Sequence, residues 1–481
     1  MMLNKLLEYS RSEAYPFHMP GHKRNLPGDI FPFDIDITEI DGFDNLHHPE
    51  GCIREIEDRA AKLYHAERAF LLVNGATCGI LSAMRAMTRR GDKVMIARNC
   101  HTSVYHAVEL LGLEPVYYLP EPPSGERKHR CFGSVNPILI EKLIRANTDA
   151  KLLVITSPTY EGFCSDVPSI AALCRSYGVR LLVDEAHGAH FPFHDAFPRN
   201  AVDGGADCAV VSLHKTLPAM TQTALLLTAD SGLVQPLQSA LAVFQTSSPS
   251  YVLMSSIEYA LSYAEIHPGA FDKYLSRLSR LEERLSRLKH LSLLFHADKK
   301  IASLFACDRS KLVISTCGTN LTGVELANIL RKNYSLEIEM AAGDYIIAMT
   351  SVCDTDEGFQ RLTDALTEID AQCVPTDKVR DGEWRFSIPP RSLLPCECES
   401  AEKRVVPLCE AEGLVSMEDI FAYPPGIPLV VRGEILTGEV LRQAAEMRAK
   451  GVNILSSENT YPAGLTVAEL SLTKDADYGK I

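Results

Sequence analysis

The sequence has no apolar run long enough to span a bilayer, and its first residues, MMLNKLLEYSRSEAYPF, lack the apolar centre and cleavage site of a signal peptide. It also has no surplus of basic residues, because 62 acidic and 48 basic side chains give a net charge of −14. Such a charge argues against nucleic acid as a main partner. We therefore expect a cytoplasmic protein that binds neither a membrane nor nucleic acid.

The cysteine pattern lacks any C-x-x-C motif, although the chain contains 14 cysteines. In a cytosolic protein of this size, most of them are expected to be reduced residues of the core. Cys396, Cys398 and Cys409 form the one cluster, but their spacing is poor for a metal site. We therefore predict no metal. No internal repeat or low-complexity tract is present either.

Two short apolar runs end in reactive side chains. Leu181–Val183 and Cys208–Val211 have the length and composition of buried parallel strands. Asp184, Glu185 and His187 follow the first run, and Ser212, His214 and Lys215 follow the second. Ligands of open α/β sheets bind at the carboxyl ends of the strands. We therefore expect these groups to converge on one site.

An acid, two imidazoles and a lysine at one site fit pyridoxal 5′-phosphate (PLP). Lys215 would bind the cofactor covalently through its amine, and Asp184 would keep the pyridine nitrogen protonated. Taken singly, each residue is more simply an ordinary charge at a strand end. The spacing of D-E-A-H and S-x-H-K makes the cofactor site the favoured interpretation.

A turn with the sequence NGATCG follows the predicted strand Ala69–Val73 and precedes a helix. The backbone amides of Gly75, Ala76 and Thr77, together with the threonine hydroxyl, would form a seat for phosphate at the helix N-terminus. The alternative is an ordinary turn between a strand and a helix. The pairing with the Asp184 and Lys215 segment favours the phosphate seat.

Two further segments have both a structural and a functional interpretation. His101 follows the predicted strand Lys93–Arg98 and either stacks on a cofactor ring or is structural. The hydroxyl groups of FQTSSPSY, residues 244–251, either cap the helix that begins at Tyr251 or reach a phosphate.

Strands and helices alternate with short turns, which predicts an α/β fold with a mostly parallel central sheet and helices on both faces. We expect an N-terminal arm at residues 1–35 and a large PLP-binding domain at 36–265. A smaller α/β domain at 266–375 and a C-terminal domain at 376–481 would follow. The smaller domain opens with a predicted helix, Ala270–Lys289, whose leucines recur every three or four residues.

Eight segments together resemble the bacterial ornithine, lysine and arginine decarboxylases, PLP enzymes of the aspartate-aminotransferase fold (fold type I). They are FHMPGHK (17–23), NGATCG (74–79), NCHTSVYHA (99–107), SPTYEG (157–162), VDEAHGAH (183–190), SLHKTLPAMTQ (212–222), TSSPSY (246–251) and YPPGIPLVVRGE (423–434). Long members of this family begin with a receiver-like domain. Because FHMPGHK starts at residue 17, we expect a short member without that domain.

The resemblance implies a role for each matching residue. Lys215 would bind the cofactor, Asp184 would pair with the pyridine nitrogen, and His101 would stack on the ring. His187 would lie near the phenolic oxygen and the substrate carboxylate. The remaining cofactor-binding residues would be Gly75, Ala76, Thr77, Ala186, Ser212 and His214, with Ser247 and Ser248 contributed by a neighbouring subunit. The family pattern thus implies a homodimer, or a higher homo-oligomer, with shared active sites.

The implied reaction is α-decarboxylation of a basic amino acid to CO₂ and an amine of the polyamine pathway. The residues leave open whether arginine, lysine or ornithine is the substrate, and whether His187 or Lys215 protonates Cα. A carboxylate in a water-poor pocket would recognise the distal cation. Glu434 is a candidate for this group, and the alternative is an exposed surface glutamate.

Two other functions stay open at this stage. One is a different fold-type I enzyme, such as an aminotransferase or a lyase. The other is a PLP-binding homologue that has lost catalysis. The intact pair of Asp184 and Lys215 argues against the second.

Overall fold

The computed structural model describes residues 1–11, 32–122, 131–294, 305–376, 387–423, 426–449 and 451–469. The FHMPGHK segment lies outside these residues. Within the described ranges, no helix is both long and apolar enough to cross a membrane. The 14 cysteines form no disulfide, and no group of three potential metal ligands occurs in the same ranges.

A seven-stranded sheet forms the centre of residues 32–266. Its strands are β1 (Arg68–Leu72), β2 (Lys93–Ala97), β3 (Glu114–Tyr118), β4 (Leu152–Thr156), β6 (Arg180–Asp184), β7 (Cys208–Ser212) and β8 (Ala224–Thr228), and β5 (Phe163–Cys164) lies outside it. The order is β1-β8-β7-β6-β4-β2-β3. The neighbours from β7 to β3 are parallel, whereas β8 is antiparallel to β7 and β1. The prediction of a mostly parallel central sheet is therefore confirmed.

Helices surround this sheet and connect its strands. They are α1 (Met2–Ser10), α2 (Cys52–Leu63), α3 (Gly75–Met87), α4 (Thr102–Leu111), α5 (Pro137–Ala146), α6 (Val167–Ser176), α7 (Leu213–Thr216), α8 (Val234–Phe244) and α9 (Tyr251–Ile266). The first of them belongs to the predicted N-terminal arm, and its residues Met2 and Leu6 are buried. The described part of the arm therefore packs on the body of the protein, against α9.

Residues 267–376 form a second, smaller α/β region. It contains α10 (Ala270–Leu285), β9 (Ser292–Leu294), β10 (Ala306–Cys307), β11 (Lys311–Ser315), α11 (Gly323–Tyr334), β12 (Met340–Ala341), β13 (Tyr345–Met349) and α12 (Asp356–Gln372). Four strands form an antiparallel sheet in the order β12-β13-β11-β9. Helix α10 ends four residues before the predicted end, because the Asp370 carboxylate accepts the backbone N–H groups of residues 289–291 and turns the chain.

The C-terminal region, residues 387–469, has a hydrophobic core of its own. Its elements are β14 (Lys403–Pro407), β15 (Ile420–Tyr423), β16 (Ile427–Val430), α13 (Gly438–Ala449), β17 (Asn453–Ser456) and β18 (Gly464–Ala468). The core of the first two regions is continuous, running from Met2 to Cys373. The domain boundaries near residues 36, 266 and 376 stay predictions.

Candidate active site

A cavity of about 240 Å³ opens at the carboxyl ends of the central strands. Its lining includes ten of the predicted site residues: Gly75, Ala76, Thr77, His101, Asp184, Ala186, His187, Ser212, His214 and Lys215. Gly426 and Ile427, from the C-terminal region, complete the wall. The convergence expected from the two strand ends is thus present in the structure.

Lys215 lies in the short helix α7, directly after β7, and points to His187. Its Nζ lies 3.1 Å from Nε2 of His187. Burial, reinforced by the Lys215 ammonium, holds the pKa of His187 well below its usual range. His187 is therefore neutral, and its Nε2 accepts the hydrogen bond from the lysine. Its Nδ1 is buried and has no hydrogen-bond partner in the described part of the chain.

Burial also lowers the pKa of the Lys215 amine. The positive charge of Lys311 adds to this effect, whereas the carboxylate of Asp184 opposes it. A lysine with a lowered pKa loses its proton more readily, and only the unprotonated amine is a nucleophile. The surroundings of Lys215 thus favour covalent chemistry at its nitrogen.

Asp184 is the last residue of β6 and is 3% exposed. Its Oδ1 accepts a hydrogen bond from the backbone N–H of Ala186 at 3.1 Å. The remaining acceptor positions of this carboxylate are open to a cationic N–H of a ligand. This is the arrangement that a protonated pyridine nitrogen requires.

Helix α3 presents its N-terminus to the cavity. The preceding residue, Asn74, makes no side-chain cap, and its Oδ1 instead accepts the N–H of Thr246 at 3.2 Å. Gly75 has a φ of +75°, a conformation that favours glycine. Uncapped amides at the positive end of a helix bind anions such as phosphate. The geometry of this turn therefore fits a phosphate seat.

His101 caps a helix, as its structural interpretation predicts, and it also lines the cavity. Its stacking on a cofactor ring stays a prediction. Its Nδ1 accepts the backbone N–H of Ser103 at 3.2 Å and so caps α4. Burial lowers the pKa of its ring, and the nearby Lys215 contributes in the same direction. The helix cap fixes the orientation of the imidazole in the cavity wall.

The chemistry of this wall fits PLP. It combines an uncapped helix N-terminus, a buried carboxylate and a lysine of lowered pKa. Three buried polar atoms of the wall, Asn99 Oδ1, Thr156 Oγ1 and His187 Nδ1, lack partners among the described residues. Buried polar groups without partners are costly, so such atoms indicate that a polar ligand belongs there.

The turn after β4 contributes two residues that we did not assign from the sequence, Tyr160 and Glu161. The ring centroid of Tyr160 lies 4.7 Å from that of His187, edge to face, and its hydroxyl donates to the carboxylate of Glu339. The sequence contains a signal for these two residues, because they follow β4, and β4 ends at the same edge of the sheet as β6. The SPTYEG motif was noted only as part of a family pattern.

Both alternatives predicted for Glu434, a carboxylate that recognises the substrate cation and an exposed surface residue, are wrong. Glu434 is 1% exposed, and its carboxylate accepts two hydrogen bonds from the guanidinium of Arg98, at 2.8 and 2.7 Å. It is therefore not a surface residue, nor does it line the cavity. Because Arg98 already neutralises this carboxylate, Glu434 is not available to a substrate cation.

The TSSPSY segment does not line the cavity of its own chain, although Thr246 donates its N–H to Asn74 beside the cavity. Ser250 caps α9 by accepting the N–H of Leu253 at 3.3 Å, as the helix-cap interpretation predicts. Ser247 and Ser248 are exposed and do not line the cavity. Their predicted contact with the cofactor of a neighbouring subunit stays a prediction.

Known proteins resemble this chain over nearly its whole length. The family model "Orn/Lys/Arg decarboxylase, major domain" matches residues 2–307. The chain is 34% identical to the uncharacterised protein YaaO of Bacillus subtilis, over 92% of this chain and 93% of that protein. It is 32% identical to the arginine decarboxylase of Bacillus subtilis, with 90% of each covered. The solved structure of the Francisella novicida lysine decarboxylase LdcF aligns with a TM-score of 0.81 at 18% identity, over 97% of this chain and 80% of that one.

Proposed function

This chain belongs to the Orn/Lys/Arg decarboxylase family, and from that premise we propose that it decarboxylates arginine, with PLP bound at Lys215. The predicted family, the fold and the reaction class, decarboxylation of a basic amino acid, are confirmed by the family match and the relatives. Arginine is favoured over lysine and ornithine because a relative that aligns over 90% of both chains is named an arginine decarboxylase.

The observation that carries the proposal is the convergence of Lys215, His187 and Asp184 on one cavity. Bound PLP supplies an electron sink for the charge that departing CO₂ leaves on Cα. We assign the pyridine nitrogen to Asp184, whose carboxylate keeps that nitrogen protonated. The amides at the start of α3 would seat the phosphate.

Two residues are placed to move the proton that Cα needs after CO₂ has left. Neutral His187 accepts a hydrogen bond of 3.1 Å from Lys215, so the lysine can pass a proton to the imidazole, and the imidazole can return it. His187 and Asp184 are buried, which limits the access of bulk water as a competing donor. We assign delivery of the proton to this pair.

The cavity argues against an aminotransferase, which needs an arginine clamp for the α-carboxylate. No arginine lines the cavity among the residues that the structure describes. Arg98 lies at the end of β2, but its guanidinium is occupied by Glu434.

The proposal extends to the assembly and the location of the enzyme. Ser247 and Ser248 are exposed on their own chain, so they are free to contact a second subunit. We propose a cytoplasmic homodimer, or a higher homo-oligomer, in which these serines complete the neighbouring site. Its amine product would enter polyamine synthesis.

A substrate panel tests this function. The PLP-loaded protein is incubated with arginine, lysine and ornithine, and CO₂ and the amine product are measured. We expect turnover of a basic amino acid, with arginine as the best substrate. Lys215→Ala should abolish turnover and the visible absorbance of the lysine-bound cofactor. An unchanged absorbance band in this variant would overturn the assignment of Lys215.

A further inference from the structure

The cavity wall contains two carboxylates, Asp184 and Glu161, among the residues that the structure describes. Asp184 is assigned to the pyridine nitrogen, so Glu161 has no role in the reaction as described above. Glu161 is only 6% exposed. A carboxylate buried to this degree is costly unless a cation or several hydrogen bonds compensate it. Its surroundings therefore need an explanation.

Glu161 is held by two neutral hydroxyl groups. Tyr345 donates its hydroxyl to Oε1 at 2.9 Å, and Thr159 donates to Oε2 at 3.1 Å. No lysine or arginine in the described ranges forms an ion pair with this carboxylate. Burial raises its pKa, although the two hydrogen bonds oppose the rise. The ionised carboxylate would therefore be stabilised by a cation, which the described residues do not supply.

The backbone around Glu161 is fixed, so the carboxylate is held in place before any ligand arrives. Gly162 has a φ of +94°, and a Cβ on it would lie 2.9 Å from the carbonyl oxygen of Asp308. The next residues form β5, which pairs with β10 of the smaller region. The side chains that pack at this junction are apolar, and include Phe163, Met340 and Ile347. The site is therefore water-poor as well as rigid.

We propose that Glu161 binds the distal cation of the substrate, and thereby restricts the enzyme to basic amino acids. This inference rests on the proposed function, since it names the specificity residue of the same cavity. A guanidinium presents a planar fork of N–H donors that matches a carboxylate, and such pairs are stronger where water is excluded. A neutral side chain at the same place would leave the buried carboxylate uncompensated and would be rejected.

Glu339 is the rival carboxylate, because it accepts the hydroxyl of the cavity residue Tyr160. It is exposed, however, and it does not line the cavity. An exposed carboxylate is solvated and screened, so it discriminates less between charged and neutral ligands. Glu161 is buried, has no cationic partner in the part of the chain that the structure describes, and lies in the wall, which favours it over Glu339.

The test compares arginine with citrulline, its neutral analogue, on the PLP-loaded enzyme. Lysine and norleucine form a second pair. Glu161→Gln should lower kcat/KM for arginine about 100-fold or more, mainly through KM, and leave citrulline nearly unchanged. The ratio of kcat/KM for arginine to kcat/KM for citrulline should therefore fall by the same factor. The visible absorbance of the bound cofactor should stay as in the wild type, because Glu161 does not hold PLP.

Two matched variants separate binding from structure. Tyr345→Phe removes the hydrogen bond between the two regions but keeps the carboxylate, so it should retain the preference for arginine. Glu339→Gln should retain it too. The proposal is overturned if Glu161→Gln impairs arginine and citrulline equally, or if Glu339→Gln collapses the ratio instead.

A binding measurement keeps this inference distinct from the proposed activity. Equilibrium dialysis gives the Kd of arginine and of citrulline for the wild-type and variant cavities, each in a Lys215→Ala background that should not turn over. If no basic amino acid releases CO₂, yet the wild type prefers arginine and Glu161→Gln does not, the activity is refuted and the binding role stands. If the wild type binds both ligands equally, the binding role is refuted.

Discussion

Glu434 and Glu161 are both buried, and they differ in what compensates their charge. Glu434 faces the guanidinium of Arg98, which also donates to the backbone carbonyls of Pro428 and Leu429 at 3.2 Å each. Glu161 has two hydroxyl groups and no cation among the described residues. The first arrangement is complete within the protein, whereas the second becomes complete only when a cation binds.

The surroundings of the Arg98–Glu434 pair also differ in role from the cavity wall. The Arg98 pair holds the segment that begins at Gly426, and this segment forms part of the cavity wall. The Glu434 carboxylate and the Arg98 guanidinium satisfy each other there. The cavity wall instead keeps unsatisfied atoms, such as Asn99 Oδ1. Three such atoms, Asn99 Oδ1, Thr156 Oγ1 and His187 Nδ1, lie in the wall, where a bound polar ligand would satisfy them.

The largest effect on stability is expected from Arg98→Met. This change leaves the Glu434 carboxylate buried without a cation, which should cost about 3–5 kcal/mol of unfolding free energy. Urea denaturation measures the loss, and the double variant Arg98→Met/Glu434→Met should recover much of it. The control is Arg331→Met, whose partner Glu337 is solvent-exposed; it should change stability by about 1 kcal/mol or less. Equal losses of unfolding free energy in Arg98→Met and Arg331→Met would contradict this prediction.

At pH 8, replacing each of the two glutamates with glutamine should have a smaller effect on the free energy of unfolding. The effect should be opposite in sign at the two positions. Glu434→Gln should destabilise the protein, because Arg98 keeps its charge and loses its counter-ion. Glu161→Gln should stabilise it by an amount on the order of 1 kcal/mol, because an uncompensated carboxylate is removed. Functional groups often cost stability in this way. A loss of stability in both variants would mean that Glu161 is a structural residue.

The gain from Glu161→Gln should depend on pH. Burial raises the pKa of Glu161 in the folded protein, so the folded state keeps a proton that the unfolded chain has already lost. The Glu161 carboxyl group therefore makes its full contribution to stability below the pKa of an ordinary glutamate. This contribution decreases as the pH rises toward the pKa of Glu161 in the folded protein. The advantage of the variant should grow from pH 5 to pH 8. A constant difference between these pH values would contradict this reasoning.

Much of the fold was predictable because it depends on local patterns. The predicted strands Leu181–Val183 and Cys208–Val211 lie within β6 and β7, since uninterrupted apolar runs with clear turns at both ends allow few alternatives. The convergence of Asp184 and Lys215 was predictable for the same reason, as parallel strands end at one edge.

The errors concern contacts between distant parts of the chain. Glu434 was placed near the substrate because it is acidic and lies in a family motif, but its partner Arg98 is 336 residues away. The role inferred for Glu161 depends on Tyr345, 184 residues away. Patterns of neighbouring residues in the sequence do not predict either of these two contacts.

The smallest stability effects concern the TSSPSY segment, where three serines within four positions have different surroundings. Ser250→Ala removes the cap of α9 and should cost about 1 kcal/mol of stability with little change in turnover. Ser247→Ala/Ser248→Ala should leave stability within about 0.5 kcal/mol, because both side chains are exposed. If these two serines reach the cofactor of a second subunit, their removal should nevertheless weaken PLP binding.

Mixing subunits tests that sharing directly, since the same contact repeats on both chains of a two-fold dimer. A Lys215→Ala chain combined with a Ser247→Ala/Ser248→Ala chain would hold one site with both defects and one site with neither. Activity should therefore reappear when the two impaired proteins exchange subunits. No recovery after demonstrated exchange, or an active monomer on sizing, would show that each chain builds its site alone. The exposed serines would then be ordinary surface residues, and the cavity described here would be complete within one chain.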